Sequence, residues 1–164
     1  MREAGMRAKA IVKSQYRASL AMLRQAIERC PDSLWEDGDY SNPFWHVAYH
    51  VIFYTHFYLH PTEDDFVPWE KHRDEIVSLG DSAEGETPYS REEILEYLDL
   101  CLKQMEEQVD AMDLEAESGF YWLPFDKLEL QFYNIRHVQQ HTGELCERLG
   151  AQGEIEVDWV GMKA

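Results

Sequence analysis

Cysteine is scarce in this chain of 164 residues: there are three, Cys30, Cys101 and Cys146, and no CxxC spacing. An odd, scattered set builds neither a disulfide framework nor a thiolate zinc cluster, and it suits a reducing compartment. Long apolar runs are also missing. No stretch of about 18 uncharged apolar residues occurs, and none follows Arg2, Arg7 and Lys9, so neither a membrane span nor a secretory leader is expected. The cytoplasm is the expected location. Basic residues are few, 15 Lys and Arg against 32 Asp and Glu, for a net charge of −17. Such a field repels phosphate backbones and anionic lipid, so neither nucleic acid nor a membrane is expected as a partner. Internal repeats of about 20 to 50 residues are absent, which excludes a solenoid.

Apolar material, in contrast, is plentiful. Hydrophobic residues make up 45% of the chain and aromatic residues 13%. That is enough to fold despite the charge, and the length is that of one domain spanning residues 1–164. Between about Ala8 and Arg29, Ile11, Tyr16, Leu20, Leu23 and Ile27 recur at helical steps, and Pro31 ends the run. Asn42 and Pro43 read as a helix start, with Asn capping free amides and Pro at the first helical position. The helix they open runs to about Leu59 and is apolar nearly all round, which means burial on most sides. Ser90 and Glu93 form a capping box ahead of Ile94, Leu98, Cys101, Leu102, Met105 and Val109, a helix ending near Met112. The last helix extends from about Asp126 to Leu149, with Leu128, Phe132, Ile135, Val138, Leu145 and Leu149 on its apolar face and Gly150 placed to stop it.

The span from His60 to Pro88 is rich in acids, Pro and Gly, with a short helix expected around Trp69 to Val77. A connection that long crosses over something. The whole therefore reads as an all-α, antiparallel four-helix bundle with a long crossover between helices 2 and 3. Ile155, Val157 and Trp159 follow the last helix, and Trp159 is expected to pack back onto the body.

Two histidine pairs at helical spacing lie in those helices: His46 with His50, and His137 with His141. Residues four apart share a helix face, so each pair can aim two imidazole nitrogens at one point, and a third ligand from the other helix completes a site. Three protein ligands leave positions open for water or substrate. Spacing alone does not say whether His46 or His50 joins the second pair, or whether His46 is a fourth ligand or a structural neighbour. Imidazole suits zinc, nickel, copper or iron. His56, His60 and His72 lie near or in the connection and read as solvated. Glu144, three residues past His141, either orients that histidine or faces solvent. Trp45, Tyr49, Trp122 and Tyr133 are candidate pocket walls, with core packing as the competing reading.

The segments NPFWHVAYHVIFYTHFYL (Asn42 to Leu59) and YNIRHVQQHTGELCERL (Tyr133 to Leu149), with the closing VDWVG (Val157 to Gly161), resemble the DinB-like superfamily of four-helix proteins. The resemblance implies that His50, His137 and His141 bind one divalent metal, zinc or nickel foremost, with His46 a neighbour. It also implies a reaction class, because some members are thiol-dependent transferases or isomerases that act on small electrophiles with a low-molecular-weight thiol as co-substrate. A metal-binding stress module without turnover and a metal-dependent hydrolase remain alternatives. The expected partner is a small-molecule substrate, and the apolar excess of the helices is compatible with a homodimer.

Overall fold

A computed structural model of the chain describes residues 2–80, 83 and 85–162. The first helix, α1 (Arg2–Arg29), starts ahead of the expected Ala8, because Glu3, Ala4 and Met6 favour helix and Glu3 lies at its positive end. Next comes α2 (Asp32–Trp35), a single turn the sequence pattern does not reveal. Then α3 (Phe44–Leu59) follows, with Pro43 at the cap position itself and no side-chain cap. Asn42 is thus not the cap: its Oδ1 accepts the Gly80 amide at 2.7 Å. In the crossover a 3-10 turn (Asp74–Ile76) replaces the expected short helix. The capping box of Ser90 and Glu93 forms as read and opens α4 (Arg91–Ala111).

Asp126 caps the last helix, α5 (Lys127–Gly153), by accepting from the Glu129 amide. Gly150 does not stop it. The helix ends where Glu154 adopts a left-handed conformation at φ 54° and its amide returns to the Gly150 and Leu149 carbonyls. Phe132, expected on the apolar face, is 57% exposed. Its neighbours Leu130 and Gln131 are the ones fully buried, so the inward stripe is rotated from the one read off the sequence.

Among the described residues, α1 and α3 each pack against both α4 and α5. Lys13 pairs with Asp110 at 2.6 Å and Arg17 with Glu106 at 2.5 Å, so α1 and α4 run in opposite senses. Thr55 and His60 on α3 and just beyond it meet Asn134 and Lys127, so α3 and α5 are also antiparallel. Along their shared face α3 and α4 meet with His56 against Tyr97 and, further along both, His60 near Gln108. These two helices run the same way, which is why the chain needs the long crossover between them. Among the described residues no helix is long and apolar enough to cross a membrane.

The core is heavy in rings: Trp45, Tyr16, Tyr49, Tyr97 and Phe44 are the largest fully buried side chains. Each such burial contributes roughly 1.5–3 kcal/mol or more, so the bundle has a stabilising core independent of any ion. The crossover adds Trp69, Ile76 and Tyr89 to it. Beyond α5, Ile155 and Val157 lean on the core, and Asp158 is held by Gln25 and Arg29. Trp159 is 78% exposed, contrary to the expected packing, because those polar clamps and the two aliphatic residues already dock the segment.

Candidate metal centre

On α3, His50 faces α5, where His137 and His141 sit one turn apart. One nitrogen from each ring lies within 4.8 Å of the other two. The ring centroids are separated by 5.1 Å for His50 and His137, 5.0 Å for His50 and His141, and 4.7 Å for His137 and His141. The His50 and His137 Nε2 atoms are 3.2 Å apart. That is close to the roughly 3.3 Å edge expected when two imidazoles share one tetrahedral ion at bonds of roughly 2.0 Å.

The second nitrogen of each ring decides which atom is free to bind. His50 Nδ1 lies 2.7 Å from the Val77 carbonyl, which can only accept. The proton therefore resides on Nδ1 and the Nε2 lone pair points to the cluster. His141 Nδ1 lies 3.1 Å from Glu144 Oε2, leaving its Nε2 likewise free. Glu144 is held by Arg148, whose other nitrogen donates to the Asn42 carbonyl at 2.7 Å. Glu144 is thus the residue that orients His141.

Two of the rings are held toward the neutral form. Burial pushes the His50 imidazole down to about 4 and the His137 imidazole down to about 3, each further lowered by its histidine neighbours. Neutral imidazoles are what a cation needs. A proton shared between the two close Nε2 atoms has to come from His137, since the His50 proton is committed to Val77. That arrangement leaves the buried His137 Nδ1 as an acceptor, and it has no hydrogen-bond partner. A cation between the rings removes the need for that proton. The donor set fits a borderline transition metal such as zinc.

His46 is not in the cluster. Its Nε2 is 2.9 Å from the Ile76 carbonyl, and it also bonds the Ser78 backbone. It is fully buried and its pKa is lowered, first by that burial. His46 and His50 together pin residues 76–78 of the crossover onto α3.

Of the four aromatic candidates, Trp45 and Tyr49 are core residues. Trp45 packs on Tyr89, while Tyr49 packs on Tyr89 and Tyr97, with its hydroxyl 2.7 Å from His72 Nδ1. Tyr133 packs edge-on to Tyr58, and Trp122 lies parallel to Phe57 at 6.5 Å, so both belong to an aromatic wall beyond the cluster. The ring beside the histidines is Tyr54, 4.9 Å from His50 and 5.8 Å from His137. Sequence reasoning missed it, although its place one turn after His50 marks the same helix face.

His56 and His60 are not solvated as expected: they are 2% and 5% exposed, because Phe66 in the crossover folds back edge-on over both rings. The His72 side chain is 11% exposed and bridges Tyr49 to Asp74.

Residues 15–145 match the sequence model of the DinB superfamily, a span that holds all three clustered histidines. No curated protein and no solved structure matches the chain.

Proposed function

The chain belongs to the DinB superfamily, and from that premise we propose that it is a metal-dependent enzyme that transfers a small thiol to an electrophile or uses that thiol to isomerise it. His50, His137 and His141 hold one divalent ion, zinc or nickel. The observation that carries this reading is the convergence of three imidazole nitrogens within 4.8 Å on two facing helices. When bound, such an ion supplies Lewis-acid stabilisation of a thiolate or hydroxide near neutral pH.

The protein's own parts divide the remaining work. Val77 and Glu144 fix the ring orientations of His50 and His141, and Arg148 fixes Glu144. Tyr54 forms an apolar flank beside His50. Burial disfavours the thiolate form of the chain's own cysteines, pushing Cys30 up to about 12 and raising Cys101 and Cys146 as well. The sulfur therefore comes from solution. In the transfer, the thiol proton leaves to solvent, sulfur forms a bond to the electrophilic carbon, and the leaving group departs with the bonding pair. No carboxylate stands free beside the cluster to activate water, since Glu144 is occupied by His141 and Arg148, which disfavours hydrolysis.

The test is turnover of bacillithiol, mycothiol, glutathione or cysteine with simple alkylating substrates, on protein of measured metal content. Thiol consumption that follows metal occupancy and disappears in His137→Ala supports the reading. Fully loaded protein that consumes no thiol is a binding module, and turnover without thiol marks a hydrolase.

A further inference from the structure

The α3 helix and its end carry a second pair of buried imidazoles, His56 and His60, with ring centroids 4.9 Å apart. They face α4 and line a cavity of about 590 Å³ together with Trp69, Asp65, Glu70 and Glu96. The hydrogen bonds of the inner nitrogens set what this pair offers. His60 Nδ1 lies 2.9 Å from the His56 carbonyl, so it donates, and its Nε2 is a lone pair. The Tyr97 hydroxyl is fully buried and its one hydrogen-bond contact is His56 Nδ1 at 3.2 Å. The hydroxyl proton has no other acceptor, so Tyr97 donates and His56 carries its hydrogen on Nε2.

Among the described residues neither Nε2 atom has a hydrogen-bond partner, and neither is among the unsatisfied atoms sealed from solvent. The cavity thus presents one N–H donor and one lone pair on an aromatic floor. At its rim, Lys71 already neutralises Glu96 at 2.6 Å, whereas among the described residues Asp65, which accepts the Thr62 hydroxyl at 2.7 Å, and Glu70 form no salt bridge.

Those groups select among ligands. A transition metal needs lone pairs on both rings, and His56 presents a hydrogen. Among the described residues only the His50 group brings three ligand atoms together. An anion meets the carboxylates of Asp65 and Glu70, neither of which is in a salt bridge among the described residues. A wholly apolar molecule strands the two imidazole nitrogens. An ammonium group satisfies the His60 lone pair and the Asp65 or Glu70 carboxylate together, a hydroxyl or carbonyl oxygen satisfies His56, and the carbon between them lies on Trp69. We propose that the cavity between α3, α4 and the crossover is a second binding site, for a small primary amine that also carries a hydroxyl or carbonyl oxygen.

The probes are ethanolamine, 3-aminopropanol and tyramine, with propionate as the anionic control, titrated into the metal-loaded full chain by calorimetry and followed by amide shifts. Saturable binding of at least one amine is expected, with the largest shifts at residues 56–70 and 96–108. Asp65→Asn, which keeps an acceptor for the Thr62 hydroxyl, combined with Glu70→Gln, both on the exposed rim, should weaken it about tenfold, the size of one charge-assisted hydrogen bond. His60→Gln should weaken it as well. The site is refuted if none of the amines saturates at millimolar concentration, if the rim variant binds as wild type does, or if propionate competes equally. It is also refuted, in favour of a metal, if a second zinc equivalent binds and is lost in His60→Gln.

Discussion

The two faces of α3 carry the same functional group in different chemical states. Toward α5, His50 joins His137 and His141; toward α4, His56 sits beside His60. On the first face a carbonyl and a carboxylate take the Nδ1 protons of His50 and His141, so lone pairs converge. On the second a phenol donates a hydrogen bond to one ring, so a donor and an acceptor stand side by side. The partner of the outer nitrogen, more than histidine spacing, decides whether a pair of imidazoles is a ligand set.

The sharpest way to break this contrast is to delete the rings. His50→Ala, His137→Ala and His141→Ala should each reduce metal affinity by more than the roughly 10–100-fold typical of lost ligand-orienting partners. His46→Ala, His56→Ala and His60→Ala should retain occupancy, measured by elemental analysis after equilibrium dialysis. If His46→Ala empties the site while His50→Ala does not, the ligand assignment is reversed.

Acid should act on both faces alike. The unfolded chain takes up protons near the ordinary histidine value of 6.5, whereas folded His50 and His56 resist to about 4 and His137 to about 3. Between those values the unfolded state binds more protons. Stability of the metal-free protein should therefore fall as pH drops from about 6.5 toward 4. Urea midpoints at three pH values across that window check this, and a midpoint that rises on acidification contradicts it. At neutral pH, removing the ion with a chelator should leave helical circular dichroism intact, because the apolar core does not depend on it.

Glu144→Gln keeps the shape but weakens the carboxylate's hold on His141, and metal affinity should fall about 10–100-fold with the fold unchanged. Unaltered affinity would show that Glu144 only faces solvent. Tyr97→Phe has the smallest effect: one buried hydrogen bond is lost on the α4 face, about 1 kcal/mol in thermal unfolding, with metal affinity untouched.

Much of the bundle was legible in the residues themselves. The capping box at Ser90 and the long acidic span before it announced α4 and the crossover, and the i,i+4 pair on α5 announced two of the three clustered histidines. Other elements had no local signal. The clamps on His46 and His50 are backbone carbonyls of residues 76 and 77, which every residue type possesses. His56 and His60 were misread as solvated because Phe66, the residue that covers them, comes from a loop with no periodic pattern. For Trp45 and Tyr49, residue type leaves pocket wall and core packing both open, and the core reading holds because Tyr89 packs on both and Tyr97 on Tyr49. Asn42 was misread by one position: Pro43 took the cap, which released the Asn42 side chain to hold Gly80.

The His50 and His137 rings meet although 87 residues separate them in the chain. Contacts so distant in sequence close late in folding, after local helices and their neighbours have formed. A nascent chain that has released α1 to α4 can already clamp His50 to the crossover, yet nothing stands opposite it until α5 arrives with the remaining imidazoles, Glu144 and Arg148. The three-histidine group is complete only once α5 has docked on α3, so an ion that needs all three imidazoles has no site before that helix is in place.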